Sequence, residues 1–366
     1  MASEPKILLV SLAGIGDTLF ATPLIHELRA NFPKGELDVL VLWAGSKDVL
    51  EGNPHVSAVY QKNLIRVGTL GSLRFLRHLG KKRYDFSINT HPQSRVHYRV
   101  VARFINAKVR ISHAYDHSTV LDRLLVNRMK PMDYGRHSIE NNLALLSLLG
   151  VKPILTRHDY EMFLSPAELA WAEEFVTGQN LAGRTLLGIH IGSGGTKNLA
   201  LRRWPVESYI QLIQKLNRAR PEISVLLFGG PEEEKDNAQV LAETKSGLVF
   251  QPKTNNLRQA AALLKKCQLF LSVDTALMHV AAAMKVPGQV AIETPTWNRP
   301  IEPYNQKFAL VKNPAVAGRN LEYYRYDGKG IQGTKEELRR CMASVTVEAV
   351  YEALMMPTGF ARGAPG

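Results

Sequence analysis

Cysteine is scarce: Cys267 and Cys341 are the only two in 366 residues. They show no metal-ligand spacing and are too few for a disulfide framework, so both read as buried thiols. No apolar run approaches the roughly 18 residues that would span a bilayer. The run 7–16 has the look of a signal-peptide core, but Asp17 and an amphipathic helix follow it with no convincing cleavage site, and the expected location is the cytoplasm. Short repeats are absent, and low-complexity sequence is confined to the tail 357–366. The dinucleotide fingerprint is incomplete, because AGIGDTL lacks its third glycine and puts an acid where a pyrophosphate would sit, which argues against a nicotinamide or flavin enzyme. Walker A order is missing, so an ATPase is not expected, and no nucleic-acid-binding motif is present. Acidic residues are nearly missing from 52–115, where twelve Lys and Arg stand against Asp85 alone.

What is there suits a globular protein: 45% hydrophobic and 22% charged residues, in a chain long enough for two domains. The stretch 6–33 organises the reading. Ile7, Leu8, Leu9 and Val10 form a continuous apolar run, as in a buried parallel strand; Gly14 and Gly16 break it. From Thr18 the spacing of Leu19, Leu24, Ile25 and Leu28 is helical, closing at Phe32-Pro33. The turn therefore lies at the carboxyl end of a parallel strand, where open α/β sheets bind ligands. Asp17 in that turn reads first as a helix cap and second as a carboxylate able to take a proton from a hydroxyl.

Strand and helix signals then alternate. In the first half, strands are expected at 37–43, 56–60, 84–89 and 107–111 and helices near 70–81, 96–103 and 138–149. In the second, strands are expected at 185–191, 223–228, 269–273 and 289–292, with helices at 206–219, 235–244, 256–266 and 275–284. Both halves predict doubly wound parallel sheets. Within the basic block, Leu70, Leu73, Leu76 and Leu79 alternate with Arg74, Arg77, His78 and Lys81. Either an ordinary surface helix or one lying on an anionic membrane gives that pattern; the length of the acid-poor block and the net charge of +13 favour the second.

Two segments of the second half carry anion-binding signals. Gly192, Gly194 and Gly195 alternate with Ser193, Thr196 and Lys197 ahead of Arg202 and Arg203, a combination suited to a diphosphate. In SVDTALMHVAAAM, Asp274 and Thr275 open a helix whose N-terminus also favours phosphate, and His279 falls one turn later on the same face. Glu232, Glu233 and Glu234 follow the Gly229-Gly230 turn; they are either solvated or placed to accept from ribose hydroxyls.

Taken in order, ILLVSLAGIGDTLFATPLIHELRANFP, RRWPVESY, VLLFGGPEEE, SVDTALMHVAAAM and CMASVTVEAVYEAL resemble the lipopolysaccharide heptosyltransferases of glycosyltransferase family 9. The resemblance runs from residue 6 to about 356. It implies the α/β GT-B architecture of two Rossmann-like domains and an interdomain cleft: an acceptor domain at 1–165, a nucleotide-sugar domain at 180–335, and a helix at 345–356 returning to the first. It implies inverting, metal-independent transfer, with Asp17 as general base and no cofactor beyond the nucleotide-sugar substrate, ADP-heptose. Donor phosphates would meet Ser193, Thr196, Lys197, Arg202, Asp274, Thr275 and Ala276, and the nucleoside or sugar Glu232, Glu233 and His279. The acceptor, an anionic lipid A core at the inner face of the cytoplasmic membrane, would meet Gly14, Gly16, Arg95, Arg99 and Arg110. Departures from the family pattern fall in the donor pocket: Ala276 replaces Gly, Arg202 replaces Lys, and ETPTWN at 293–298 replaces an FGPT-like loop. They leave room for another nucleotide sugar, of a hexose or N-acetylhexosamine. A non-catalytic nucleotide- or glycan-binding envelope protein is the reading from a different class.

Overall fold

The structure is a computed structural model that describes residues 4–194, 199–316 and 333–356. The chain forms two compact units: one runs up to Phe163 and takes in Arg299–Tyr304, and the other is built on Leu164–Asn298 and the segments that follow Tyr304.

The first unit alternates β1 (Lys6–Ser11), α1 (Ile15–Asn31), β2 (Glu36–Val41), α2 (Ala44–Leu50), β3 (Ala58–Gln61), α3 (Gly68–Gly80), β4 (Phe86–Asn89), α4 (Val96–Ile105), β5 (Val109–Ala114), α5 (Val120–Leu125), β6 (Arg128–Pro131) and α6 (Ser138–Ala144). Its sheet is wholly parallel, in the order β3-β2-β1-β4-β5-β6. β1 is central, with Ile7 opposite both Leu37 and Phe86, and Ile7 to Val10 are at most 1% exposed. Burial on both faces is why that run is uninterruptedly apolar. Right-handed crossovers put α1 and α2 on one face and α3, α4 and α5 on the other. The direction of strand order reverses between β1 and β4.

The second unit repeats the plan with α7 (Pro166–Gly178), β7 (Thr185–His190), α8 (Val206–Ala219), β8 (Ile223–Phe228), α9 (Glu234–Thr244), β9 (Val249–Phe250), α10 (Leu257–Leu264), β10 (Leu269–Ser272), α11 (Ala276–Ala283), β11 (Gly288–Ile292) and β12 (Phe308–Val311). The order β12-β11-β10-β7-β8-β9 is the same topology, all parallel, with its reversal between β7 and β10. Leu187, Ile189, Leu227 and Leu271 fill its core with Trp204, whose indole N–H donates to the Val345 carbonyl at 2.9 Å.

The helix Val347–Met355 belongs to the second unit: it packs on α8, β11 and β12, with Val350, Ala353 and Leu354 in that unit's core. Its apolar face covers sheet that would otherwise be exposed beside the edge strand β12. One expectation changes: the basic block is not a single free surface. Lys82 is held by Glu36 and Asp38, Arg99 is wholly buried, and Arg110 donates to the Leu125 and Ala107 carbonyls. Of the α3 leucines, Leu76 and Leu79 are buried and Leu73 partly so, whereas Leu70 is 83% exposed.

Candidate active site

In the first unit the predicted turn sits at the reversal point of the sheet. α1 starts at Ile15, three residues before the apolar spacing suggests, because Gly14 serves as its N-cap and Asp17 closes a capping box from the third position. Asp17 Oδ2 accepts from the Gly14 N–H at 2.6 Å. A Cβ on Gly14 would stand 2.9 Å from that oxygen, so a larger residue there would push the carboxylate out of its capping bond. The capping role is thus real, and it leaves the carboxylate partly exposed at the positive end of a helix and the carboxyl edge of β1.

The adjacent strand ends supply its surroundings. After β4 the chain passes through a cis His91-Pro92 bond to Arg95, the N-cap of α4. Tyr98 lies close enough to Asp17 and Arg95 to feel both charges: burial and the Asp17 carboxylate push its phenol up, while Arg95 pulls it down. Tyr115, beyond the end of β5, is pushed far up by burial, with Asp17 among the smaller contributors. Tyr98, Tyr115 and His91 were not expected from the sequence. The only signal available was the position of His91 and Tyr115 just past strand ends, while Tyr98 lies in the first turn of α4.

Arg99 is not an acceptor contact. It is buried, 3.1 Å from Asp122, 5.2 Å over the Tyr115 ring, and it donates to the carbonyls of Gln93, Ser94, Arg95 and His113. It shapes the loop that presents Arg95. Arg110 lies near the amino end of β5, the wrong edge of the sheet for the Asp17 site. Gly14 and Gly16 belong to the turn and first helical residues, where their role is backbone geometry.

In the second unit the reversal point again gathers the expected groups. Arg202 is buried and pairs with Asp274 across the ends of β7 and β10, and it donates to Thr296 Oγ1 at 3.0 Å. Its Nε is buried with no hydrogen-bond partner among the described residues. Burial raises the Asp274 carboxyl, and Arg202 works against that rise. Thr275 is the N-cap of α11, without a side-chain capping bond, and Ala276 is the first helical residue, so the first N–H groups of α11 point out of the strand end. His279 is 3% exposed; burial, and then the charge of Arg202, lower its pKa to about 3, so the ring is neutral near pH 7.

Ser193 is fully buried and donates to the Leu199 carbonyl at 2.5 Å, which closes the loop instead of offering a hydroxyl to a ligand. Glu233 also turns inward. It accepts from Gly230 N–H at 2.9 Å and Arg203 at 2.8 Å, and these bonds with His190 outweigh burial to lower its pKa. Glu232 is exposed. Thr196 and Lys197 lie outside the described residues. Thr296, part of the 293–298 loop expected at the donor pocket, joins the site through Arg202 and sits 3.2 Å from the Thr294 hydroxyl, both in the loop after β11.

Two doubly wound units, each with its polar groups collected at the reversal of its sheet, define a GT-B sugar-transferring enzyme. The sequence model of glycosyltransferase family 9 (heptosyltransferase) matches residues 72–325, and the chain belongs to that family of glycosyltransferases. It is 27% identical over 288 residues to lipopolysaccharide heptosyltransferase 3 of Escherichia coli, covering 74% of this chain and 78% of that one. To the lipopolysaccharide core heptosyltransferase OpsX of Haemophilus influenzae it is 23% identical over 94% of this chain and 95% of the relative. Among solved structures, a family 9 glycosyltransferase from Veillonella parvula superposes with a TM-score of 0.75 at 21% identity, covering 96% of each chain. Escherichia coli heptosyltransferase WaaC with ADP-2-deoxy-2-fluoro heptose gives 0.68 at 20% identity, over 95% of this chain and 98% of that one. These last two likenesses bear on the fold.

Proposed function

We propose that the protein transfers a heptose from ADP-heptose to the inner core of lipopolysaccharide, with inversion at the anomeric carbon and with Asp17 as general base. The observation that carries the reading is Asp17 itself: a carboxylate at the reversal point of the acceptor-side sheet, in a chain of family 9. The names of the relatives supply the sugar and the acceptor class. In the reaction, Asp17 takes the proton of an acceptor hydroxyl as its oxygen bonds to the anomeric carbon. The bond from that carbon to the donor phosphate breaks, and the nucleoside diphosphate leaves. Arg202 and the N–H groups opening α11 oppose the charge that develops on the departing phosphate. No step requires a metal ion.

The acceptor is anionic and membrane-borne in this reading, and the protein works at the inner face of the cytoplasmic membrane without spanning it. No helix among the described residues is long and apolar enough to cross a bilayer. Exposed cations of the acid-poor block, such as Arg66 and Arg74, stand beside the exposed apolar residues Ile65 and Leu70, a combination suited to an anionic lipid surface.

Asp17→Asn tests the proposal. Transfer should fall about a hundredfold or more, while nucleotide binding stays within a factor of two or so of the parent. Near-normal turnover in the variant would sink the assignment. A second reading rests on Ala276 and on the Thr296–Arg202 bond at the donor end. It keeps the fold and Asp17 and changes the sugar nucleotide. Thermal unfolding with ADP, UDP, GDP and CDP separates the two: a ligand at a hundred times its dissociation constant stabilises by about 2.7 kcal/mol. A selective ADP shift supports the heptose donor, and a selective shift with another base replaces it.

A further inference from the structure

Three residues far apart in the sequence meet on the first unit, away from the Asp17 turn. His26 lies on α1, nine residues past Asp17, or about 13 Å along the helix axis. His55 follows α2, and Glu161 lies in the last segment of the unit. His26 Nδ1 is 2.7 Å from Glu161 Oε1, and His55 Nε2 is 3.6 Å from Glu161 Oε2. The imidazoles face each other with centroids 3.8 Å apart. One ligating atom from each residue lies within 4.8 Å of the others. Glu161 Oε2 is buried without a hydrogen-bond partner among the described residues, aimed at His55.

We propose that His26, His55 and Glu161 bind one divalent transition-metal ion of the zinc type, which fastens the segment 152–163 to α1 and takes no part in sugar transfer. Two imidazoles and a carboxylate are a donor set for zinc and its neighbours, whereas calcium and magnesium prefer all-oxygen cages. Bonds of about 2.0–2.2 Å at tetrahedral angles set ligand atoms roughly 3.4 Å apart, so the ligand atoms already lie near the required separation and the stacked rings must turn until both lone pairs meet at one point. The orphaned carboxylate oxygen gains a partner in the process, which removes a cost of the ion-free arrangement. Arg29 is the opposing charge, but its guanidinium is occupied by the carbonyls of Phe32, Pro33, Gly35 and His55 and by Ser57.

The surrounding bonds show what the ion would hold. Buried Glu27 accepts from the backbone of Ile154 and Leu155 and pairs with His158 at 2.8 Å, and Glu161 N–H donates to Thr22 at 3.0 Å. These contacts already tie the segment to α1, and the metal adds a cross-link between α1, the chain after α2 and that segment.

The test uses full-length, tag-free protein stripped with a chelator and titrated with Zn²⁺ alone, by calorimetry and thermal unfolding. One equivalent should bind and raise the melting temperature. Glu161→Gln, which keeps the side chain's size, and His55→Ala should each weaken binding about tenfold or more, and His97→Ala should change nothing. Co²⁺ should give visible d–d absorption with the parent and lose it with Glu161→Gln, a readout that does not depend on stability. Zinc should also slow tryptic cleavage at exposed Arg157 in the parent alone. No uptake by the parent, or equal uptake by the parent and Glu161→Gln, would overturn the site.

Discussion

Asp17 does two jobs that a single substitution can separate. Asparagine still offers an oxygen to the Gly14 N–H, so Asp17→Asn keeps the start of α1 and removes the proton acceptor, whereas Asp17→Ala loses the cap as well, at about 1 kcal/mol. Melting of the two variants against the parent distinguishes a lost base from a frayed helix. The Arg202–Asp274 pair is the other residue to probe. Removing one partner of a buried pair leaves an uncompensated charge and costs about 3–5 kcal/mol; Asp274→Asn keeps a polar partner, so its expected loss by urea unfolding is smaller, about 1–3 kcal/mol. Nucleotide affinity should change in the same variant, because Arg202 is released from its strand-end anchor. Unchanged unfolding and affinity would remove the pair from the site. The sequence placed Asp17 and Asp274 at strand-to-helix turns, His279 one turn into the helix that follows and Arg202 in the loop after β7, because such turns are readable from period and glycine. Arg99 shows the limit: a basic residue in an acid-poor block reads as surface charge, and only folding brings Asp122 and four carbonyls around it.

Among the elements, the turn after β7 depends most on one residue without a side chain. A Cβ on Gly192 would stand 2.2 Å from Glu233 Oε1, and Glu233 is held by Gly230 and Arg203, so it has nowhere to withdraw. Gly192→Ala should therefore cost about 1–3 kcal/mol and weaken nucleotide binding. Gly178→Ala, at the end of α7 with open space around its Cβ position, should be neutral or slightly stabilising, and equal effects on urea unfolding would refute this account. For α3, Leu70 is exposed beside Arg66 and Arg74, and Ile65 and Val67 precede it. Leu70→Glu should lower binding to anionic vesicles severalfold without shifting the melting temperature; unaltered vesicle binding would remove α3 from the membrane contact. Long apolar strands such as β1, β7 and β8 were legible because both faces are buried. The short edge strands β3, β6, β9 and β12 were weak or missed, since two to four residues carry too little periodicity. The helix Val347–Met355 was legible as a helix, and its amphipathic face showed that it packs, whereas the contacts with α8, β11 and β12 come only from the fold.

At the scale of the whole molecule, stability against acid follows from histidines kept neutral by burial. His279 is lowered to about 3 and His113 to about 4, each chiefly by burial, and fully buried His91 is lowered well below its ordinary value for the same reason. In the unfolded chain a histidine takes its proton near pH 6.5. The unfolded state therefore binds protons first, and the contribution of each ring to stability is complete above about pH 6.5 and is lost as pH falls toward the folded value. The loss approaches about 1.4 kcal/mol per pH unit for each histidine, so by about pH 5.5 three such rings remove an appreciable part of a typical 5–15 kcal/mol. Carboxylates act lower. Glu168, paired with Arg258 and lowered to about 2, stabilises above its unfolded pKa and loses that effect only as pH falls from about 4.5 toward 2. Urea unfolding from pH 8 to pH 4 should show stability flat down to about 6.5 and then falling. His279→Gln should make that fall shallower by close to one proton, whatever it does to stability at pH 8. A curve flat to pH 5, or a slope unchanged in the variant, would mean that these rings titrate no differently in the folded and unfolded chains.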